Sequence, residues 1–302
     1  MSVAESTPGS RHGLELRDPG GGGGLLDVFR HRYLLKLLVR KEVKVRYQGT
    51  VLGMAWSYAK PLMRFFVYFV VIGQVLGLVR SIPNFAVHIV SGMVCVQLFN
   101  EVFQSTTNSV VRNKALVRKI FLPRELFPVA SVFVSLVNII PFLVVLLLAS
   151  IATGWTPEWQ TLPALVLGIT LVAMFGMSLG LFFSGFNVYF RDFGKVVDVV
   201  TTLTPWSVPM IYAFDMIAEQ LKGHSVLLEL YLANPVAISG MLVQRAFWIP
   251  TVEGEPIKDP SVLELAPDLF WRGLILLAAS VVILAVAQRV FKRLEGSFAE
   301  QL

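Results

Sequence analysis

The sequence predicts an all-α polytopic membrane protein. Six transmembrane helices are expected, with an N-terminal amphipathic interface helix, exterior re-entrant half-helices between spans five and six, and both termini cytoplasmic. Three observations carry this. The 302 residues are 55% hydrophobic and only 15% charged, where a soluble domain carries about 25% charge. Their mean hydropathy is +0.67, so polar surface is too scarce to cover a globule. Six runs are apolar enough to cross roughly 30 Å of hydrocarbon as helix: about 61–79, 85–103, 127–152, 162–186, 196–213 and 269–290.

The elements follow in order. Residues 1–24 lack an apolar core and close on five glycines at 20–24. They read as a flexible cytoplasmic tail without a cleavable signal. Residues 25–60 form the interface helix and the approach to span one. There Arg32, Lys36, Arg40 and Lys44 make an i,i+4 row, with Leu34, Leu38 and Val45 on the opposite side. Such a helix lies in the headgroup region, held by acyl contact and anionic lipid. Lys41 interrupts the pattern, but a long side chain can reach the headgroups.

Residues 61–290 form the transmembrane domain. The first, fourth and sixth spans are the clearest. The second carries Asn100 and Glu101 near its end, tolerable at an interface, and the third carries Asn138 and Pro141, read as a helix contact and a kink. The fifth is the weakest, with Asp198, several hydroxyls and two kinking prolines, Pro205 and Pro209. The exterior region, 214–268, holds apolar runs at 225–233 and 236–249 that are too short to span, parted by Asn234-Pro235. Residues 291–302 form a cytoplasmic tail.

Lysine and arginine set the orientation. The stretch 25–64 holds nine, among them Arg46, Lys60 and Arg64, and the loop after span two holds Arg112, Lys114, Arg118, Lys119 and Arg124. The opposite side is poor in them. The net charge of +6 therefore reads as membrane orientation, with no nucleic-acid partner.

Familiar chemistry is missing. One cysteine, Cys95, leaves no disulfide framework, and His12, His31, His88 and His224 are scattered, so no metal site is expected. No GxxxxGK[ST], HExxH, GxSxG or CxxC pattern occurs. No catalytic residue is assigned, and the chain is read as a non-enzyme. Mid-span charge of the kind used in ion relays is almost absent.

One loop stands out: NKALVRKIFLPREL, 113–126. Lys114 and Arg118 form a basic helical row, beside apolar rows Leu116–Ile120 and Val117–Phe121. The helix should stop near Leu122, because Pro123 disfavours helical geometry in the residue before it. Its ridge fits either a partner protein's groove or the bilayer interface.

Those residues also carry a resemblance. NKALVRKIFLPRELFPVA resembles the segment after the second span in ABC-2 permeases that export polysaccharides of the O-antigen type. RKEVKVRYQGTVLGMAWSYAKPL, 40–62, is similar to that family's approach to its first span. NVYFRDFGKVVDVV, 187–200, with Pro205, Trp206, Pro209 and Tyr212, is similar to its fourth-to-fifth junction. The tail FKRLEGSFAEQL and the NPVA element at 234–237 match as well, so the resemblance runs from about residue 28 onward. The Gly-rich head departs from it.

The resemblance implies a homodimeric permease working with two copies of a separate P-loop ATPase. That ATPase binds ATP and Mg, and the permease binds no cofactor of its own. The cargo implied is a polysaccharide linked to undecaprenyl diphosphate, O-antigen-like or cell-wall galactan, crossing the cytoplasmic membrane among its lipids. The coupling helix is expected within about 106–122, with Lys114, Leu116, Val117, Arg118, Ile120 and Phe121 meeting the ATPase. Spans one and five are expected to wall the channel, with Phe65, Phe66, Tyr68, Phe69, Trp206 and Tyr212 as candidates. Arg40, Lys44, Arg46 and Lys60 are candidates for the diphosphate. Gly185, Gly194, Pro205 and Pro209 are places to absorb motion. A permease for teichoic acid or a hydrophobic small molecule shares every motif quoted. A secondary transporter or a membrane-embedded transferase stands further off.

Overall fold

A computed structural model of the chain describes residues 24–48, 56–119, 122–252 and 260–302. Among the described residues all regular structure is helical, without a strand. α1 (Leu25–Arg30) and α2 (Arg32–Tyr47) lead in. α3 (Trp56–Val67) continues as a π-helical turn, Tyr68–Val75. α4 (Phe85–Arg112) and the short α5 (Lys114–Lys119) follow, then α6 (Leu126–Ala152), α7 (Thr161–Tyr189) and α8 (Asp192–Leu203). Beyond them come α9 (Phe214–Gln220), α10 (Ser225–Leu232), α11 (Pro235–Phe247), α12 (Leu269–Leu294) and α13 (Phe298–Gln301).

Four helices, α4, α6, α7 and α12, are long and apolar enough to cross a membrane, and α10 with α11 makes a fifth if that bent pair is one span. The first and fifth apolar runs are not single long α-helices. The first includes Pro61 and is part π-helix. The fifth, expected as one kinked helix over 196–213, stops at Leu203, passes through a 3₁₀ turn at Thr204–Ser207 and runs on without regular helix to Ala213. Pro205 and Pro209 each remove a backbone donor, which breaks the helix where only a kink was expected.

α4 is the axis of the fold: 78% of its apolar window is buried, against 17% for α12. It extends nine residues beyond the expected 85–103, to Arg112. Thr106, Thr107, Ser109 and Val110 turn inward there instead of ending the helix. α7 approaches it closely through small residues. A Cβ added at Gly176 would lie 3.0 Å from Val102, and one at Gly180 would lie 2.6 Å from Thr106. On its other side α7 packs along α12, where the Ser178 hydroxyl donates to the Ser280 carbonyl at 2.8 Å.

α11 fills the remaining side of this body, buried almost all round. It meets α10 at a 75° bend. The bend is written in Asn234-Pro235: the Asn234 side chain accepts from the Val236 and Ala237 amides, and Pro235 sits where a helix needs no donor. The two half-helices expected at 225–233 and 236–249 are these. α2 lies along α6, and α1, α5 and α13 gather at the same end as α2, so Val28, Leu38, Val117, Phe298 and Leu302 share one buried cluster. This is the basic end of the molecule.

Candidate functional site: a polar groove and a basic platform

Between α3, α4 and α8 lies a groove of about 600 Å³. α4 supplies Gln97, Asn100, Glu101 and Gln104, and α8 with its 3₁₀ turn supplies Asp198, Thr201, Thr202, Pro205 and Trp206. Arg64 and Tyr68 close it from α3 and the π-turn, and Arg46 reaches in from the end of α2. On α4 the spacing places these polar residues on one helical face. At 1.5 Å per residue, Glu101 sits about 16 Å along the helix from Arg112. It lies inside α4, which runs on past the expected end of the apolar run at 103.

One ion pair, Arg46–Glu101, lies in the groove. Glu101 Oε1 accepts from both Arg46 Nη1 and Asn138 Nδ2, each at 2.6 Å, which ties α2 and α6 to α4. Gln104 Nε2 donates to Asp198 Oδ1 at 2.6 Å, and Asn100 Nδ2 to the Thr201 carbonyl at 3.0 Å. Amides and hydroxyls dominate what remains, with two aromatic faces. Such a lining binds uncharged hydroxylated groups, by hydrogen bonds and by ring stacking.

Past Trp206 the groove ends on the broken segment, 208–213, where Val208, Met210 and Ala213 have no exposed surface. Two glycines make the slot. A Cβ at Gly92 would overlap Met210, and one at Gly240 would come within 2.9 Å of Val208. Irregular backbone inside a bundle must find donors for its freed carbonyls. Gln244 Nε2 donates to the Pro209 carbonyl at 2.6 Å, and Asn234 Nδ2 to the Ser207 carbonyl at 3.2 Å. The Tyr212 hydroxyl donates to the Trp206 carbonyl at 3.1 Å, and His88 Nε2 lies 3.2 Å from the Tyr212 carbonyl.

The aromatic candidates therefore part company. Tyr68 and Trp206 line the groove. Phe65 and Phe69 stack on each other and lead back to Phe85 in the core, while Phe66 faces outward, 61% exposed. Tyr212 is half-buried, its hydroxyl spent on the Trp206 carbonyl and on Tyr231. Among the basic candidates with described side chains, only Arg46 reaches the groove. Arg40 and Lys44 are exposed on α2, and the Lys60 side chain lies outside the described residues. Sequence reasoning missed Arg64, Gln97, Gln104, Thr201 and Thr202. The 97, 100, 101, 104 spacing was the signal for the α4 members.

At the basic end α5 shows a divided surface. Lys114, Ala115 and Arg118 are exposed, Leu116 is half-buried, and Val117 is 8% exposed and faces the protein's own core. The Lys119 side chain and residues Ile120 and Phe121 lie outside the described residues. Residues 106–112, expected within the coupling helix, belong to α4 instead. After the loop, Arg124 is buried beside two buried carboxylates, Glu125 and Glu295. Burial pulls the Arg124 guanidinium below its ordinary pKa, and the two carboxylates push it back up. Lys41 Nζ donates to Asn113 Oδ1 at 3.2 Å, and Arg112 pairs with Glu42 at 3.2 Å, so α2 is clasped to the end of α4.

Residues 33–243 match the family model described as ABC-2 type transporter. The chain is 26% identical over 273 residues to the O-antigen export system permease protein RfbA of Klebsiella pneumoniae, covering 89% of this chain and 95% of that protein. It is 26% identical over 279 residues to the protein of the same name from Myxococcus xanthus, covering 91% and 98%. α4, α5, α8 and the broken segment 204–213 all sit inside the matched region, which covers more than half of the chain, and the chain belongs to the ABC-2 type transporter family.

Proposed function

We propose that this chain is the membrane-spanning subunit of an ABC exporter that moves a polysaccharide across the cytoplasmic membrane. The groove carries the reading: a surface of amides, hydroxyls and aromatic faces, with one ion pair, Arg46–Glu101, suits a sugar chain better than an ion or an apolar drug. The full-length similarity to O-antigen export permeases supports the same cargo. In this reading the cargo is lipid-linked, its sugars slide past Tyr68 and Trp206, and its diphosphate meets Arg46 and Arg64 at the groove's basic side. Arg40, Lys44 and Lys60 extend that basic rim.

The working unit is then two copies of this chain with two P-loop ATPase subunits, which supply ATP hydrolysis. Six crossings complete the topology, counting α3 with its π-turn and α8 with the broken segment. The lysine and arginine distribution favours a cytoplasmic basic end, and α5 would meet the ATPase there through Lys114, Leu116 and Arg118. Val117 would hold α5 in place from within.

Purification of the tagged chain from native membranes in mild detergent tests this. A P-loop ATPase should co-purify in equal amount and be lost on combining Lys114→Glu with Arg118→Glu. Recovery of the chain alone, under conditions that preserve a known ABC complex, would overturn the reading.

A further inference from the structure

The stretch FKRLEGSFAEQL has no part in the transport reading, yet its last residues are built into the protein. α12 gives way at Leu294 to a 3₁₀ turn, Glu295–Ser297, and then to α13, which packs on α5 and α7. The Tyr189 hydroxyl holds the turn, donating to the Leu294 carbonyl at 2.8 Å and meeting the Ser297 hydroxyl. Phe298 is fully buried, edge-on to Phe291 at 5.3 Å, with the Arg124 guanidinium 5.6 Å over its ring. On the far side of the loop, Glu125 Oε1 accepts from Gln288 of α12 at 2.9 Å.

An isolated six-residue helix has no stability of its own. α5 borrows its stability through Val117, which shares a buried cluster with Leu126, Phe298 and Leu302. Without the tail, that inward face would lose part of its cover.

We propose that residues 295–302 are the seat of the coupling helix, holding α5 in its docking pose and tying it to α12. A push on α5 is then carried into the α4–α7–α11–α12 body instead of being absorbed by the loop. This rests on the reading that α5 meets a separate ATPase. Phe298 and Tyr189 are positioning residues, acting through α5.

The test uses the full chain co-expressed with its ATPase, carrying Val117→Cys and probed with a maleimide in native membranes. Cys95, the single natural cysteine, is fully buried and reports on the fold in the same sample. Adding Phe298→Ala should speed labelling at position 117 by about tenfold, as local opening exposes that face, while Cys95 stays protected. In the otherwise natural chain, Phe298→Ala should lower surface glycan per ATP hydrolysed, and Phe298→Leu should restore it. Unchanged labelling, or an unchanged ratio of glycan to ATP, would overturn the proposal. If Phe298→Ala exposes Cys95, Tyr189→Phe, which removes only the hydroxyl on Leu294 and Ser297, decides by the same readouts. Labelling is read with and without the ATPase, so a failed seat and a failed docking reading give different results.

Discussion

The body of the protein and the wall of its groove are held together by different chemistry. α4 meets α7 through Gly176 and Gly180, with backbones close and side chains interlocked. α4 meets α8 through Gln104–Asp198 and Asn100–Thr201, with a polar space between them. Close packing is bistable at best and resists small deformation. Side-chain hydrogen bonds at the edge of a wet groove exchange readily with other donors, at a net of about 0.5–1.5 kcal/mol each. The difference predicts where motion belongs: α8 and α3 with its π-turn should shift against α4 more easily than α4, α7, α11 and α12 shift against one another.

The sharpest way to break this comparison is to wedge the body. Gly180→Leu must place a side chain where even a Cβ meets Thr106 at 2.6 Å. Overpacking of this kind typically costs about 1–3 kcal/mol, occasionally more. The variant should be recovered poorly, with a thermal midpoint in detergent far below that of the natural chain. A midpoint within a few degrees would show that α7 and α4 can part, and the rigid-body picture would fail.

A smaller effect is expected where body and groove meet. Gln244→Leu keeps the volume but leaves the buried Pro209 carbonyl without its donor, worth about 1–3 kcal/mol. Gln244 also lies 3.4 Å from His88, which itself approaches the Tyr212 carbonyl at 3.2 Å. The midpoint should fall moderately, and protease sensitivity should rise within 204–213 before it rises elsewhere. General sensitivity instead would mean the broken segment is no separate unit.

Much of this was legible in the sequence, and the limits are physical. Local signals carried well: Asn234-Pro235 announced the bend between α10 and α11, and the basic row from Arg32 to Lys44 announced α2. Pro205 and Pro209 marked the weak span, but how far the helix would break depended on partners distant in the chain. Gly92 and Gly240 form the slot for Met210 and Val208, and nothing local to either glycine reveals that pairing. Val117 misled for the same reason. Helical periodicity gives a residue its face, but the direction of that face was settled by Phe298 and Leu302, some 180 residues onward. For the groove, Asn100 and Glu101 were noticed but not joined to Gln97 and Gln104, because α4's continuation to Arg112 rests on small hydroxylated residues that hydropathy does not reward.

The gentlest substitution sharpens the comparison most. Glu101→Gln keeps an oxygen to accept from Asn138 Nδ2 and changes almost no volume, but it removes the charge that pairs Arg46. The Arg46 side chain is 46% exposed, so losing its partner there should cost under about 1 kcal/mol. The melting midpoint should hardly move. Export should still fall, because an unpaired guanidinium in the groove would hold a passing phosphate or hydroxyl more tightly, and a conduit needs its sites weak enough to leave. Surface glycan and the detergent midpoint, measured on the same preparation, separate the two effects. A loss of both together would put Glu101 in the structural body, while a loss of neither would take the groove out of the transport path.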